Sequence, residues 1–368
     1  MTPTTETDVA EAIASATGPV RIEGGGTRPI GKQVASDTLS VAALSGISLY
    51  EPGALTVVAK AGTPVAEIEE TLAKENQRLA FEPMDHRDLL GTAGVPTIGG
   101  VVAGNVSGPR RIAVGACRDF MLGVRFVDGT GTILKNGGRV MKNVTGYDLV
   151  KLLTGAHGTL GVLTEVSLKV LPMPETSATL HVHDLSPLDA VAAMSGALGS
   201  PFEVTGAAYN GDVLLRVEGF EASVSYRLSE LTKKLGHYGQ ISQTNDPEAS
   251  AEIWQSIRDV QSLQAHGSDV WKLSVKPSSA PAVLEMIQAE QTLLDWGGGL
   301  IWAALPAGRD LRAQIKDVNG HATLVRASAE TLAAIPAFHP ETPVVAKIGA
   351  ELRRKFDPRD ILNRGLMA

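Results

Sequence analysis

Cysteine is nearly absent from this sequence, in which Cys117 is the only one among 368 residues. A single thiol excludes an internal disulfide, a four-cysteine zinc site and an iron–sulfur cluster held by this chain alone. Any iron–sulfur chemistry must therefore come from another chain. A lone thiol among apolar neighbours is typical of a core residue, so we expect Cys117 to be inert.

Long hydrophobic runs and an excess of positive charge are also missing. No stretch reaches the roughly 18 to 20 apolar residues that a membrane-spanning helix needs. The formal net charge is −7 and the basic residues are scattered, which disfavours nucleic acid as a partner. No Lys or Arg precedes Arg21, so the basic start of a secretory signal is lacking. We therefore expect a cytoplasmic protein that reaches a membrane only through partner subunits.

Glycine is abundant instead, and two clusters of it indicate a binding site. Residues 26–32 fit the ATP-loop pattern G-x-x-x-x-G-K, but Gln33 has no hydroxyl for Mg²⁺ and no amphipathic helix follows. This first cluster therefore predicts a turn whose N–H groups bind a diphosphate, with a plain glycine turn as the alternative. The second cluster, residues 91–108, is too apolar for an exposed linker. It predicts a buried loop whose backbone approaches a ligand closely.

His86, Arg87, Asp88 and Leu89 resemble the catalytic loop of protein kinases. Ala93 stands where that loop has its metal-binding asparagine, and no other kinase motif is present. We therefore expect residues 86–89 to form a polar surface loop. No cluster of acidic, histidine and cysteine residues has the spacing of a metal site, so we expect no metal.

Hydrophobic periodicity predicts alternating strands and helices, with a domain boundary after the strand 162–170, where Pro172 and Pro174 end it. The expected division is a first domain over 1–172, a second over 173–330 and a C-terminal segment over 331–368. The second domain is expected to be α+β with an antiparallel sheet. Its predicted helices are 187–198, 222–235 and 281–295, and its predicted strands include 213–218, 271–275 and 300–305.

Two further motifs, VMKNVTGYDL over 140–149 and GTLGVLTEV over 158–166, follow the glycine clusters. In this order the four closely resemble the FAD-binding domain of the vanillyl-alcohol-oxidase/PCMH flavoprotein family, and within it the FAD-binding subunits of glycolate oxidases. The resemblance implies an α+β fold: a PCMH-type, vanillyl-alcohol-oxidase-like FAD-binding domain of two subdomains, followed by a smaller α+β domain with an antiparallel sheet. The C-terminal segment, 331–368, would return toward the flavin.

The resemblance also implies which residues contact FAD. The first glycine loop would wrap the pyrophosphate, the second cluster would approach the isoalloxazine, and a later turn would meet the adenine. Arg118 is one of three nearby arginines that would offset the charge of the cofactor. The implied contacts are Gly24, Gly25, Gly26, Thr27, Pro96, Thr97, Ile98, Gly99, Gly100, Asn105, Ser107, Gly108, Arg118, Gly161 and Val162. Members that bind flavin covalently through this loop carry a histidine where Thr27 stands, so we expect dissociable FAD.

One departure from the family concerns catalysis. Its metal-dependent 2-hydroxy-acid dehydrogenases share a motif of the type H-G-G-D-G-N-x-H in the second domain, and this chain has none. Without that metal, the substrate carboxylate would need cations from elsewhere. Lys272, His321 and Arg326 are the candidates, and a purely structural role is the alternative for each.

The function that the resemblance implies is that of a subunit in a glycolate oxidase or dehydrogenase complex. The complex would oxidise glycolate, a small-molecule 2-hydroxy acid, to glyoxylate. Its partners would be a homologous flavoprotein subunit and an iron–sulfur subunit that accepts electrons. Two alternatives stay open: a free-standing FAD-dependent oxidoreductase for a 2-hydroxy acid or alcohol, and a structural flavin-binding subunit without turnover.

Overall fold

A computed structural model describes residues 1–32, 37–139, 146–264 and 267–367. Gln33 and positions 140–145 of the VMKNVTGYDL motif lie outside the described residues. The helices are α1 Glu6–Ser15, α2 Val65–Ala73, α3 Arg87–Leu90, α4 Ile98–Ala103, α5 Arg111–Val114, α6 Cys117–Phe120, α7 Leu149–Leu153, α8 Pro187–Leu198, α9 Glu221–Leu235, α10 Pro247–Arg258, α11 Ala280–Ile287, α12 Ala329–Ala334 and α13 Pro343–Phe356.

The strands follow in the same chain order. They are β1 Val20–Glu23, β2 Asp37–Ser40, β3 Ile47–Glu51, β4 Thr56–Lys60, β5 Gln77–Arg78, β6 Met121–Val127, β7 Ile133–Gly137, β8 Val162–Lys169, β9 Leu171–Pro172, β10 Thr176–Val182, β11 Gly206–Tyr209, β12 Val213–Gly219, β13 Ile241–Thr244, β14 Asp269–Val275, β15 Gln291–Asp295, β16 Leu300–Leu305 and β17 Gly320–Arg326. Within the described ranges, no helix has the length and apolar character needed to cross a bilayer.

The chain forms two compact units, of which the first comprises Met1–Ser107, Gly115–Met173 and Pro340–Ala368. Its largest sheet has the antiparallel order β3-β4-β8-β6-β7. The strand β8 lies near the middle because its side chains alternate between a buried and a less buried face, as its sequence predicts. The hairpin of β6 and β7 turns at Asp128, whose carboxylate accepts from the backbone N–H groups of Thr130 and Thr132.

A second part of this unit packs α1 against the short parallel pair of β1 and β2. Helix α1 begins at a capping box, in which the Thr5 hydroxyl accepts from the Asp8 N–H and the Asp8 carboxylate accepts from the Thr5 N–H. The C-terminal chain joins the same core, because Val20 pairs with Leu362 in a parallel bridge. The end of the chain therefore returns to the strand that leads into the first glycine cluster.

The second unit comprises Gly108–Val114 and Pro174–His339. Its sheet has the antiparallel order β13-β10-β12-β11-β15-β16-β14-β17. One face packs on α8, α9 and α11 around a core that includes Leu215, Trp271 and Ile301. Because strand side chains alternate, Arg216 and Lys272 lie on the opposite face. The division 1–172, 173–330 and 331–368 follows chain order alone and stays a prediction.

One predicted helix of the second unit is wrong in its extent. The helix expected over 281–295 ends at Ile287, because Gln288 takes a left-handed conformation with φ 44°. The following stretch forms β15, which pairs with β16 along its whole length. The helices expected over 187–198 and 222–235 are present as α8 and α9.

Candidate functional site

The two glycine clusters lie against each other where the chain leaves β1. A Cβ atom on Gly25 would lie 1.6 Å from the carbonyl oxygen of Val95, and one on Gly94 would lie 1.7 Å from the carbonyl oxygen of Gly25. The Thr97 Oγ1 would be 2.4 Å from a Cβ on Gly24. Only residues without side-chain atoms allow two loops to approach this closely. The closest backbone approach in these clusters is therefore between the loops themselves.

Helix α4 holds the second cluster in place. Thr97 is its N-cap, and the Thr97 Oγ1 accepts from the Gly100 N–H at 3.3 Å. The Gly99 N–H donates to the Ala61 carbonyl at 2.8 Å, and a Cβ on Gly99 would lie 2.7 Å from the Ala61 Cβ. The helix is thereby fixed on the chain that leaves β4.

Both loops line one cavity of the first unit. The predicted cofactor contacts on its lining are Gly24, Gly25, Gly26, Thr27, Pro96, Thr97, Gly99, Gly100 and Gly161. The sequence reasoning missed several polar lining residues, among them Arg28, Lys32, His86, His157 and Asn363. For Arg28 a signal was available, since it directly follows a glycine turn that was expected to bind a diphosphate.

Other predicted contacts do not line this cavity. Ile98 and Val162 are fully buried. The Asn105 side chain accepts from the Arg118 N–H at 3.0 Å, and Arg118 itself is exposed. The Ser107 hydroxyl accepts from the Cys117 N–H, and Gly108 belongs to the second unit. These six residues stay predicted FAD contacts without support from the cavity lining.

The polar loop expected over residues 86–89 is wrong. His86 is buried, its ring lies 3.3 Å from the Met84 carbonyl oxygen, and it lines the cavity. Leu89 is also buried, within the short helix α3. The Cys117 thiol is fully buried away from the cavity lining, and burial raises its pKa well above the usual range. Cys117 is therefore an inert core residue, as expected.

A partly buried arginine, Arg28, dominates the electrostatics of the cavity. Burial lowers the pKa of Arg28 to about 10. Burial, with the nearby Arg28 charge adding to it, also lowers the pKa of His157 to about 3, so the imidazole is neutral near neutral pH. The acidic lining residue Glu23 forms an ion pair with Arg21. The cavity therefore presents a fixed positive charge at Arg28.

The C-terminal segment supplies one wall of the same cavity. The Asn363 Oδ1 accepts from the Ile22 N–H at 2.7 Å, and its Nδ2 donates to the His157 carbonyl at 2.8 Å. Leu366 also lines the cavity, and its carbonyl accepts from the Lys32 N–H. Asn363 thus ties together β1 and the turn before Gly158.

These residues fit a cofactor that carries a diphosphate. The N–H groups of Gly25 and Gly26 pair with no acceptor among the described residues, and both glycines line the cavity. The Nε of Arg28 is buried without a hydrogen-bond acceptor in the described part of the chain. Backbone donors and a guanidinium are the groups that bind phosphate oxygens in proteins. The cavity is therefore suited to hold FAD by contacts to this loop.

In the second unit, two of the three catalytic candidates come together. Lys272 and His321 lie on the neighbouring strands β14 and β17. The Lys272 Nζ is 5.7 Å from the ring centre of Trp296 and 5.4 Å from that of Trp302, while the Arg111 guanidinium lies 4.5 Å from the Trp296 ring centre. These distances are typical of cation–π contacts.

The electrostatics of this cluster act on its histidine. Burial, followed by the charges of His339, Lys272 and Arg111, lowers the pKa of His321. Its ring is therefore neutral at neutral pH and able to accept a proton. We call Arg111, Lys272 and His321 the cationic cluster.

Arg326 lies at the opposite end of β17 from His321. Its guanidinium donates to the carbonyl oxygens of Leu263, Gln264 and Ser268 at 3.1 to 3.4 Å. This arrangement fastens the chain before β14 to β17. Its contacts support the structural alternative for Arg326.

No metal site accompanies these groups in the ranges that the structure describes. Within them, no three histidine, cysteine, aspartate or glutamate side chains are grouped as metal ligands would be. Of the residues that the sequence offered for the substrate carboxylate, Lys272 and Arg326 are cations, and the structure places Arg111 with Lys272 at the Trp296 ring.

Comparisons with known proteins bear on the whole chain. A family described as "FAD binding domain" matches residues 1–137. The chain is similar to the glycolate oxidase subunit GlcE of Escherichia coli, with 34% identity over 363 residues that cover 98% of this chain and 95% of that protein. The predicted FAD-binding domain and its cofactor, FAD, are thereby confirmed.

Two further relatives are similar to a smaller part of this chain. The glycolate oxidase subunit GlcD of Bacillus subtilis is 43% identical over 86 residues, which are 23% of this chain and 18% of that protein. A D-lactate dehydrogenase of Archaeoglobus fulgidus is 30% identical over 164 residues, 45% of this chain and 36% of that protein. Among solved structures, alkyldihydroxyacetonephosphate synthase matches with a TM-score of 0.72 at 17% identity, covering 99% of this chain and 76% of that one. This likeness confirms the predicted fold class.

Proposed function

Because this chain belongs to the family of the glycolate oxidase subunit GlcE, we propose that it is the FAD-binding subunit of a glycolate-oxidising complex. The observation that carries the proposal is the full-length similarity, which covers both units rather than the FAD domain alone. The reaction takes glycolate to glyoxylate, so two electrons and two protons leave the substrate. Bound FAD supplies the two-electron acceptor. The protein positions substrate and cofactor and handles the hydroxyl proton.

The electrons then need an acceptor outside this chain. Its single cysteine cannot hold an iron–sulfur cluster. We propose an iron–sulfur subunit as that acceptor and a homologous flavoprotein subunit as the second partner. Association with a membrane would come through these partners.

The cationic cluster is proposed to bind the substrate carboxylate on the second unit. Arg111 and Lys272 are both held at the indole face of Trp296. Charged donors form stronger hydrogen bonds to a carboxylate than neutral ones do. His321 lies at the exposed end of β17, and it is proposed to accept the hydroxyl proton because desolvation and its cationic neighbours lower the pKa of its ring.

The experiment that tests the complex is an affinity purification of the tagged full-length chain from its host. We expect a second flavoprotein and an iron-containing subunit to co-purify, with glycolate-dependent dye reduction by the assembly. The isolated chain should reduce the dye slowly or not at all. Full turnover by the isolated chain, without partners, would contradict the proposal and favour a free-standing oxidoreductase.

A matched pair of variants separates a redox role from a structural one. Gly25→Ala should impair FAD binding in this chain, because its Cβ would clash with the Val95 carbonyl, whereas nothing lies within 4 Å of a Cβ on Gly53. If the flavin of this chain carries electrons, the complex with Gly25→Ala should lose glycolate turnover and the complex with Gly53→Ala should keep it. Full turnover by an assembled complex whose Gly25→Ala chain holds no FAD would favour the structural alternative.

A further inference from the structure

Arg28 is a partly buried cation whose Nε is fully buried, and no predicted cofactor contact includes it. It directly follows Gly24 to Thr27 and lines the cavity. Its Nη1 approaches the backbone at Gly104, where a Cβ would lie 2.4 Å from it. Its Nε is buried, and no described residue accepts a hydrogen bond from it. A guanidinium in this position is fixed in place but incompletely paired.

The other charged or titratable residues on the cavity lining do not compensate Arg28. The carboxylate of Glu23 forms an ion pair with Arg21. Lys32 adds a second positive charge to the lining. His157 is neutral near neutral pH, since burial and then Arg28 lower its pKa to about 3, and His86 carries no negative charge in any state. The described lining therefore has an excess of positive charge.

A buried charge is unfavourable unless an opposite charge or several hydrogen bonds compensate it. FAD brings negative charge to the cavity in two places. The diphosphate is anionic in every redox state, and the isoalloxazine ring becomes anionic when the reduced flavin loses a proton. A guanidinium serves either group well, because its N–H donors form a planar fork.

From this geometry we infer that Arg28 is the ion-pair partner of a negatively charged group of bound FAD, and that this pairing sets the affinity of the cavity for the cofactor. The inference rests on FAD binding by this chain, which belongs to the proposed function. The inference goes beyond the proposed function by assigning a cofactor-binding role to Arg28, which lies outside the implied contacts Gly24 to Thr27. A ligand-binding role differs from a structural one in a measurable way: removal of the charge should weaken FAD binding without weakening the apoprotein.

The test uses full-length Arg28→Gln, with Arg28→Lys to keep the charge. Arg78→Gln is the matched control, since Arg78 is another partly buried arginine of the first unit and does not line the cavity. Dissociation constants for oxidised FAD, reduced FAD and riboflavin are measured by titration. Melting temperatures are measured with and without FAD.

We expect Arg28→Gln to weaken FAD binding about 10- to 150-fold, which is the usual range for a hydrogen bond to a charged group. Arg28→Lys should lose less, and Arg78→Gln should bind like the wild type. The Arg28→Gln apoprotein should melt at the wild-type temperature or above, while its FAD complex melts below that of the wild type.

The two sources of negative charge give different patterns. If Arg28 pairs with the diphosphate, Arg28→Gln binds riboflavin as the wild type does and loses affinity equally for oxidised and reduced FAD. If it pairs with the reduced ring, the loss is larger for reduced FAD, and each tenfold difference lowers the two-electron midpoint potential by about 30 mV. Either pattern supports the inference.

Two results would overturn it. One is wild-type affinity for both redox states in Arg28→Gln. The other is an Arg28→Gln apoprotein that is destabilised as much as its FAD complex, which would indicate a structural arginine. Failure of the wild-type chain itself to bind FAD would instead refute the proposed function, and is recognised before any variant is compared.

Discussion

Gly25→Ala is a minimal substitution that should separate the two glycine loops of the candidate FAD site. Its Cβ would lie 1.6 Å from the Val95 carbonyl oxygen, whereas ordinary van der Waals contact begins at 3.4 Å. The two loops would therefore have to separate by about 1.8 Å, the difference between these distances. Overpacking of this kind typically costs about 1 to 3 kcal/mol of folding free energy.

The same displacement moves the backbone donors at Gly25 and Gly26 away from the phosphate oxygens that they are proposed to bind. Loss of one hydrogen bond to a charged group costs about 1.5 to 3 kcal/mol, so FAD affinity should fall about 10- to 150-fold. The assay is a fluorescence titration of apoprotein with FAD, paired with thermal unfolding. Gly53→Ala is the control, because a Cβ there meets nothing within 4 Å. FAD affinity within threefold of wild type and an unchanged melting temperature in Gly25→Ala would show that the close approach of Gly25 to Val95 does not hold the site in place.

Three further predictions concern the attachment of the cofactor, the cationic cluster and the buried histidine. Thr27 cannot form the covalent bond to flavin that a histidine forms at this position in other members of the family. Acid precipitation should therefore leave FAD in the supernatant, and a yellow pellet would contradict this. In the assembled complex, Lys272→Gln or Arg111→Gln should raise the KM for glycolate about 10- to 100-fold through loss of a charged hydrogen bond, and wild-type KM in both variants would exclude the proposed carboxylate site. The exposed Lys276→Gln is the control, expected to leave KM unchanged. The pKa of His157 is lowered from 6.5 to about 3 in the folded chain, so its stabilising contribution is present above pH 6.5 and is lost as the pH falls toward 3. Chemical denaturation of the apoprotein should therefore show stability falling by at most about 1.4 kcal/mol per pH unit from this group, and His157→Gln should have a shallower slope over that window; equal slopes would contradict the assignment.

The elements predicted from local patterns are mostly those that the structure contains. The strand β8 alternates apolar and polar residues, and α8 has Ser186 as its N-cap and Pro187 at its first turn, so local chemistry defines both. The helix expected over 281–295 was overextended because the residues after Ile287, Gln288 to Gln291, are ordinary helix formers. Its end depends on the left-handed backbone at Gln288 and on pairing of β15 with β16, and pairing between strands cannot be read from a short apolar run.

The site was predictable where glycine carries the signal and not where the fold brings side chains together. The two glycine clusters could be identified because their composition is unusual for loops, and the resemblance to the flavoprotein family implied the individual contacts at Gly24 to Thr27 and Pro96 to Gly100. His86 and Asn363 reach the cavity from distant parts of the chain, so no local pattern marks them. Arg111 and Lys272 both lie over the Trp296 ring, although the segments that carry these residues are far apart in sequence.

We propose that the flavin of this chain carries electrons from glycolate within a complex. The measurement that tests it most directly is anaerobic stopped-flow mixing of glycolate with the assembled complex, following the visible flavin absorbance. The reference is a complex whose Gly25→Ala chain has lost its FAD, so that the difference reports this flavin. We predict that the additional flavin absorbance of the wild-type complex bleaches within the turnover time. A flavin in this chain that stays oxidised while glyoxylate forms would contradict it.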